Sequence, residues 1–215
     1  MTHHTPAPTT TTLSSATTAW VWGGSAILAS GLLRLLEALP ISAVIGWRPV
    51  TLIAAVVFAI GAVILAVGVR GQGSVVARSG LGIAALCVLG GIDVLQAVLV
   101  ESFAMIPASF RDGVTGIANV LVLIQLAAAV VGAIVIGRSG GVVGVLRWLP
   151  AFVLACIVAL QITTRVFLNA SGGVGSSGME VVVAAQVSLA LLQSALGFVV
   201  LLASPRADAT PPAAT

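Results

Sequence analysis

The length and composition of the chain define its broad class. It has 215 residues, of which 59% are hydrophobic and only 7% are charged, and its mean hydropathy is +1.20. A soluble domain carries about 25% charged residues, so this chain lacks the polar side chains needed to cover a surface that faces water. The formal net charge of +3 comes from nine basic residues, all arginine, and six acidic residues. These values exclude a soluble globular protein and indicate an all-α, polytopic membrane protein.

The scarcity of reactive residue types excludes most catalytic and cofactor chemistry. The chain has no lysine to form a Schiff base with retinal or pyridoxal phosphate. Its two histidines, His3 and His4, lie in a polar N-terminal segment, and Cys87 and Cys156 fall inside apolar segments without a CxxC pattern. We therefore expect no enzyme activity, no catalytic residues, no metal site and no cofactor. The arginines are scattered singly, which argues against nucleic acid as a partner.

The chain then divides into six apolar segments between two polar tails. Residues 1–18, rich in Thr and Pro, and residues 204–215 are predicted to be disordered cytoplasmic tails. An α-helix of about 20 residues crosses a hydrocarbon core of about 30 Å. The predicted spans, in chain order, are 19–39, 49–69, 81–100, 116–136, 149–168 and 181–202. The connections are too short to fold by themselves, so we predict a six-transmembrane-helix bundle over 19–203 and no soluble domain.

The arginines near the ends of these spans indicate an orientation. With six spans, both termini lie on the same side of the membrane, and an excess of basic residues marks the cytoplasmic side. Five arginines fall on the side of the termini and three on the other side. The two sets are Arg70, Arg78, Arg138, Arg147 and Arg206, against Arg48, Arg111 and Arg165. We therefore predict a protein of the cell (plasma) membrane with both termini in the cytoplasm.

Two further features are expected at the membrane surface. The four tryptophans lie near predicted span ends, as an interfacial aromatic belt requires. They are Trp20, Trp22, Trp47 and Trp148. The longest loop, Glu101–Thr115, contains several apolar residues and few charges, which predicts a short lid lying along the outer surface.

The even spacing of Arg70, Arg138 and Arg206 divides the chain into three helical hairpins, each followed by an arginine. Two interpretations fit this spacing. One is a threefold internal repeat. The other is three hairpins of equal length without common ancestry, because segments rich in Ala, Val and Leu align by chance.

Strongly polar side chains occur within five of the six predicted spans, mostly in the outer half. Arg34 and Glu37 share one face of the first span with Ser30, because their spacing matches the helical repeat. An ionised residue at the centre of a membrane helix costs about 2.5–3.5 kcal/mol, so these groups should face inward and pair. The candidate ligand or ion pathway consists of Arg34, Glu37, Asp93, Gln125, Gln161, Arg165 and Gln186.

Two main interpretations of this polar cluster remain open. In the first, it is an outward-facing pocket or path for a small polar solute or ion, with Asp93 as its proton- or cation-sensitive group. In the second, the protein is an accessory or scaffold subunit, and pairs such as Arg34–Asp93 or Glu37–Arg165 only fix helix packing and assembly. In a third interpretation, Arg34, Glu37 and Arg165 are near enough to the surface that their side chains simply extend toward it. The expected partners are the lipid bilayer, a small polar solute, and another membrane protein or a second copy of the chain.

Small residues predict close packing between the helices. Span two contains Ala55 and Ala59 at four-residue spacing, and comparable pairs occur in spans four and five. Such spacing allows helix backbones to approach closely in lipid. Gly90 and Gly91 lie just before Asp93, where we expect either a packing notch or a loosened helix.

Overall fold

The computed structural model describes residues 15–38, 49–68, 74–76, 79–102, 105–138, 148–170 and 176–203. Within these ranges the chain is almost entirely α-helical and contains no β-strand. Most of the predicted tails and most of the arginines used to predict the orientation lie outside the described residues. The all-α class predicted from the composition is confirmed for the part of the chain that is described.

Six helices occur in the described ranges, close to the predicted spans. They are α1 (Ser15–Ala38), α2 (Pro49–Val67), α3 (Gly80–Ser102), α4 (Ala108–Arg138), α5 (Leu149–Ala170) and α6 (Ser176–Leu202). α1 begins at Ser15 rather than at Ala19, so the last residues of the predicted N-terminal tail are helical. α2 begins with Pro49, which is tolerated at the first helical position because no backbone N–H is needed there.

Five of these helices are long and apolar enough to cross a membrane. They are α1, α2, α3, α4 and α6. In α5 the apolar stretch is shorter, from Leu149 to Thr164. Length and composition therefore support a multi-pass membrane protein, while a sixth crossing by α5 stays a prediction.

The helices form a circuit in which each packs against its neighbours in sequence. The most extensive interface joins α1 to α6, and α1 also packs extensively against α2. α1 and α2 are antiparallel. Gly23 on α1 lies against Leu65 near the end of α2, whereas Ser30 lies against Ala54 near the start of α2. As a result, the C-terminal half of α1 and the N-terminal half of α2 share one end of the bundle.

Glycines allow α1 and α6 to approach each other closely. A Cβ atom on Gly197 of α6 would lie 2.8 Å from the Cα of Leu28 and 2.9 Å from the carbonyl oxygen of Gly24. A Cβ atom on Gly31 would meet the backbone nitrogen of Ser194 at 2.6 Å. Both obstacles are backbone atoms, which do not move aside, so this interface depends on residues without side chains.

A similar notch joins α2 and α3. A Cβ atom on Gly90 would lie 2.9 Å from the Cα of Ala59, whereas one on Gly91 would meet nothing within 4 Å. Of the two glycines before Asp93, Gly90 therefore forms the predicted packing notch, and Gly91 faces open space.

The connection between α2 and α3 folds back onto the bundle at the end that contains the C-terminus of α2. Gly68 ends α2 with a φ of 77°, a left-handed conformation that glycine adopts without strain. Beyond it, the backbone nitrogen of Val75 donates to the carbonyl of Leu65 at 3.0 Å, and Val76 is fully buried.

The tryptophans do not all lie at the surface. Trp20 packs in one hydrophobic cluster with Leu65 and Val76 and is only 3% exposed, so it belongs to the core and not to an interfacial belt. Trp22 and Trp148 remain exposed.

The predicted surface loop Glu101–Thr115 is largely helical. α3 continues to Ser102, and α4 begins at Ala108, directly after Pro107. The sequence-based boundary followed hydropathy, but a helix does not end where its residues become polar, because its backbone hydrogen bonds persist in the headgroup region. With 31 residues, α4 is about 46 Å long at 1.5 Å per residue, which exceeds a hydrocarbon core of about 30 Å.

The close approach of α1 and α6 predicts opposite effects of the same substitution at two glycines. Gly197→Ala should lower the free energy of unfolding by about 1–3 kcal/mol, because the added methyl group meets backbone. Gly91→Ala should be neutral or should stabilise by up to about 1 kcal/mol, because alanine favours the helix and the space is open. Denaturant titration of the purified protein in detergent, followed by circular dichroism, measures both. Equal effects of the two substitutions would contradict the described packing.

Candidate functional site

Three polar side chains form a ridge along one face of α1. Ser30, Arg34 and Glu37 follow one another at spacings of four and three residues, so their side chains project from the same side of the helix. Ser30 is fully buried, and Arg34 and Glu37 are partly buried toward the C-terminal end of α1. We call Ser30, Arg34 and Glu37 the polar ridge.

Arg34 forms an ion pair with Asp93 on α3. The distance from Arg34 Nη2 to Asp93 Oδ2 is 2.5 Å. The Asp93 side chain is 10% exposed and that of Arg34 is 32% exposed. The carboxylate is therefore the enclosed partner, and the guanidinium reaches it from a more open position. The pair links α1 and α3, each of which also packs against α2.

Two amides extend this ion pair along α3 and α4. The Gln125 side chain on α4 lies close enough to the Asp93 carboxylate to interact with it. Gln96 lies one turn beyond Asp93 on α3, and its Nε2 atom is buried, as is Nε of Arg34. Neither of these two nitrogen atoms has a hydrogen-bond partner among the described residues. Both are donors, so the surroundings of the pair offer more N–H groups than acceptors.

Glu37 interacts with the start of α2. The hydroxyl of Thr51 donates a hydrogen bond to Glu37 Oε1. The carboxylate therefore has a hydroxyl partner on the neighbouring helix. The sequence had suggested Arg165 as its partner, and the side chain of Arg165 lies outside the described residues.

Ser30 connects three helices. Gln193 Nε2 on α6 donates to Ser30 Oγ at 2.9 Å, and the Ser30 hydroxyl donates to the carbonyl oxygen of Ala54 on α2 at 2.7 Å. The acceptor on α2 is a backbone atom that already belongs to a helix, which is possible because a carbonyl has two lone pairs. Ser30 thus satisfies both of its own hydrogen-bonding roles in the interior.

The structure brings some of the predicted site residues together and not others. Arg34, Asp93 and Gln125 form one group, and Glu37 lies beside them on the ridge. Gln186 is exposed on α6. Gln161 belongs to α5, as does Arg165, but its side chain is also outside the described part of the chain.

Sequence reasoning gave little weight to three residues that complete the polar contacts. These are Ser30, Thr51 and Gln193. The signal for Ser30 was its position one turn before Arg34 on the same helix face. Thr51 and Gln193 carried no such signal, because pairing them with α1 requires knowledge of which helices are neighbours.

Comparison with known proteins gives no match, whether with protein families, with curated proteins or with solved structures. The arrangement must therefore be interpreted from its own chemistry. It offers one cation and one anion in contact, amide and hydroxyl groups on the neighbouring helices, and two buried donors.

The direct contact between Arg34 and Asp93 predicts that their substitutions are coupled. Arg34→Leu should lower the free energy of unfolding by about 3 kcal/mol, because it leaves the enclosed Asp93 carboxylate without its partner. Asp93→Asn should cost less, about 1–2 kcal/mol, because the unpaired Arg34 guanidinium is one-third exposed. The double variant should be less destabilised than the sum of the two, with a coupling energy of about 1–3 kcal/mol.

Denaturant titration in detergent, followed by tryptophan fluorescence, measures this cycle. Gln186→Leu is the matched control, because it removes an exposed polar side chain and should change stability by less than about 0.5 kcal/mol. Additive effects of Arg34→Leu and Asp93→Asn would mean that the two side chains do not interact in the folded protein.

Proposed function

We propose that this multi-pass membrane protein binds a small polar solute or ion at the polar ridge and its partners, and carries it into or across the membrane. The observation that carries the proposal is the Arg34–Asp93 ion pair between α1 and α3. Ionisable residues within membrane helices are costly and most often mark substrate or ion pathways. The described helices include five that are long and apolar enough to surround such a pathway.

The unequal exposure of the pair supports exchange with a ligand. Arg34 is about one-third exposed, whereas Asp93 is almost enclosed. An incoming anion or carbonyl oxygen competes with Asp93 for the guanidinium, while a proton or small cation competes with Arg34 for the carboxylate. In either case one charge of the pair is released, and the helices that hold it are free to shift. This competition is how a single ion pair couples binding to a change in helix packing.

The surrounding amides support the same proposal. The Gln125 side chain lies beside Asp93, and the buried nitrogens of Arg34 and Gln96 add two donors. Buried donors gain several kcal/mol of interaction from an acceptor that reaches them, roughly the penalty of leaving them unsatisfied. Water or a solute oxygen entering from the open side of Arg34 supplies that acceptor.

The orientation is part of the proposal. The arginine distribution favours a plasma-membrane protein with both termini in the cytoplasm. In this orientation the end of the bundle that contains Arg34 and Glu37 faces the outside, and the site is reached from there.

A second candidate function is supported by the burial of Asp93. A buried ion pair together with the Gln193–Ser30–Ala54 hydrogen bonds also joins α1, α2, α3 and α6. If these contacts serve only assembly, the protein is an accessory or scaffold subunit of a membrane complex. Polar contacts of this kind specify which helices pack together, at a cost in stability.

Reconstitution into proteoliposomes distinguishes the two functions. With trapped pyranine as the probe for protons, and with radiolabelled sodium and chloride as probes for small ions, the unsubstituted protein should pass at least one of them faster than empty vesicles do. Asp93→Asn should reduce a flux of protons or sodium by at least tenfold, because the amide neither binds a proton nor pairs with a cation. Glu180→Gln makes the same chemical change at an exposed position at the start of α6 and should leave the flux unchanged.

Two results would support assembly instead. One is the absence of any flux above that of empty vesicles with all three probes. The other is an Asp93→Asn protein that fails to assemble and is restored by the additional Arg34→Leu substitution, since removing both charges then repairs the fold.

Cysteine labelling in intact cells checks the orientation. In a Cys87→Ala, Cys156→Ala background, Met105→Cys should react with a membrane-impermeant maleimide added outside, because position 105 is 85% exposed between α3 and α4. Gln72→Cys, in the connection between α2 and α3, should react only after the membrane is permeabilised. The reverse pattern would place the termini outside.

A further inference from the structure

A groove lies between α3 and α4 at the end of the bundle opposite the polar ridge. Its volume is about 430 Å³, within the range of roughly 300–1,000 Å³ that is typical of small-molecule sites. Most of its wall is aliphatic and Arg138 lies at its edge. The residues that line it include Val76, Leu81, Val131, Ile134, Val135 and Arg138.

The groove opens to the outside of the bundle. Leu81 is 64% exposed and Ile134 is 43% exposed, whereas Val76 at its base is fully buried. Arg138, in the last turn of α4, is also exposed. In a membrane, side chains exposed on α3 and α4 are exposed to lipid and not to water. The groove is therefore accessible from the bilayer along its length.

Neighbouring residues place Arg138 at the depth of the lipid headgroups. The Trp148 ring packs directly against Gly137, since a Cβ atom on that glycine would lie 2.8 Å from the ring. Trp148 is itself exposed, and exposed tryptophans concentrate at the membrane–water interface. Arg138 follows Gly137 in sequence, so its guanidinium reaches the same layer, while Val135 and Val131 lie about one and two turns deeper.

We propose that this groove binds one anionic phospholipid. An acyl chain lies along Leu81, Val131 and Val135, and the phosphate accepts charge-assisted hydrogen bonds from the Arg138 guanidinium. The N-terminal end of α3 borders the same groove, where its partial positive charge offsets the partial negative charge at the C-terminal end of α4. Basic pockets between membrane helices select anionic headgroups for this reason. The proposal does not depend on the function of the polar ridge.

Native mass spectrometry tests the proposal on the purified full-length protein. Titration with phosphatidylglycerol and with phosphatidylcholine of the same acyl chains gives a dissociation constant for each lipid. One arginine at an anionic site should make phosphatidylglycerol bind about fivefold more tightly. Arg138→Gln should bring this ratio close to one, and Arg138→Lys should retain most of it because the charge remains.

Two further variants separate the parts of the groove. Ile134→Trp fills the aliphatic wall and should weaken the binding of both lipids. Arg206→Gln removes one arginine from the C-terminal segment that follows α6, and it changes the net charge by the same amount as Arg138→Gln. Because position 206 is not among the residues that line the groove, this variant should leave the ratio of the two lipid affinities unchanged.

Several results would overturn the proposal. These are equal affinity of the unsubstituted protein for the two lipids, an unchanged ratio in Arg138→Gln, and an unchanged affinity for both lipids in Ile134→Trp. A dimer that Ile134→Trp dissociates would likewise overturn it, because a second copy of the chain would then occupy the groove.

Discussion

The ion pair between Arg34 and Asp93 is the interaction on which the arrangement of the helices depends. Hydrocarbon offers no hydrogen bonds, so the side chains of the polar ridge are stabilised by partners on neighbouring helices. Ser30 finds its partners on α2 and α6, Arg34 on α3, and Glu37 at the start of α2. A single helix with three polar residues on one face therefore determines which neighbours surround it.

These polar contacts are possible only because the backbones are close together. Gly31 and Gly197 let α1 and α6 approach until backbone meets backbone, which brings Gln193 within reach of the short Ser30 side chain. Gly90 lets α3 lie against α2 in the same way, one turn before Asp93. Glycine weakens a helix by roughly 0.5–1 kcal/mol, and here that cost is offset by packing and by hydrogen bonds that longer separations would not permit. The glycines and the polar residues thus act as one system.

Much of the fold follows from the sequence, because hydropathy alone marks where helices must lie in lipid. The predicted spans agree with α2, α3 and α5 to within about two residues, a normal uncertainty for helix ends. The extension of α4 to Ala108 was missed, since hydropathy reports the apolar core of a helix and not its continuation into the headgroup layer. Among the site residues, the pairing of Arg34 with Asp93 was accessible from charge balance. The partners Thr51 and Gln193 were not, because the sequence does not state that α1 lies between α2 and α6.

The pairing of the first and last helices has a consequence for biosynthesis. Ser30 and Gln193 are separated by 163 positions in the chain, so the ribosome completes five helices before α6 exists to receive α1. Until then the side of α1 that contains Gly24 and Gly31 has no permanent neighbour. The Ser30 hydroxyl also lacks the hydrogen bond that the Gln193 amide donates to it in the complete protein. The insertion machinery, or passing lipids, must shield that side of α1 throughout translation. Final closure of the circuit is consequently a late, post-insertion event, and quality control that recognises an unpaired α1 would detect any chain whose synthesis stopped early.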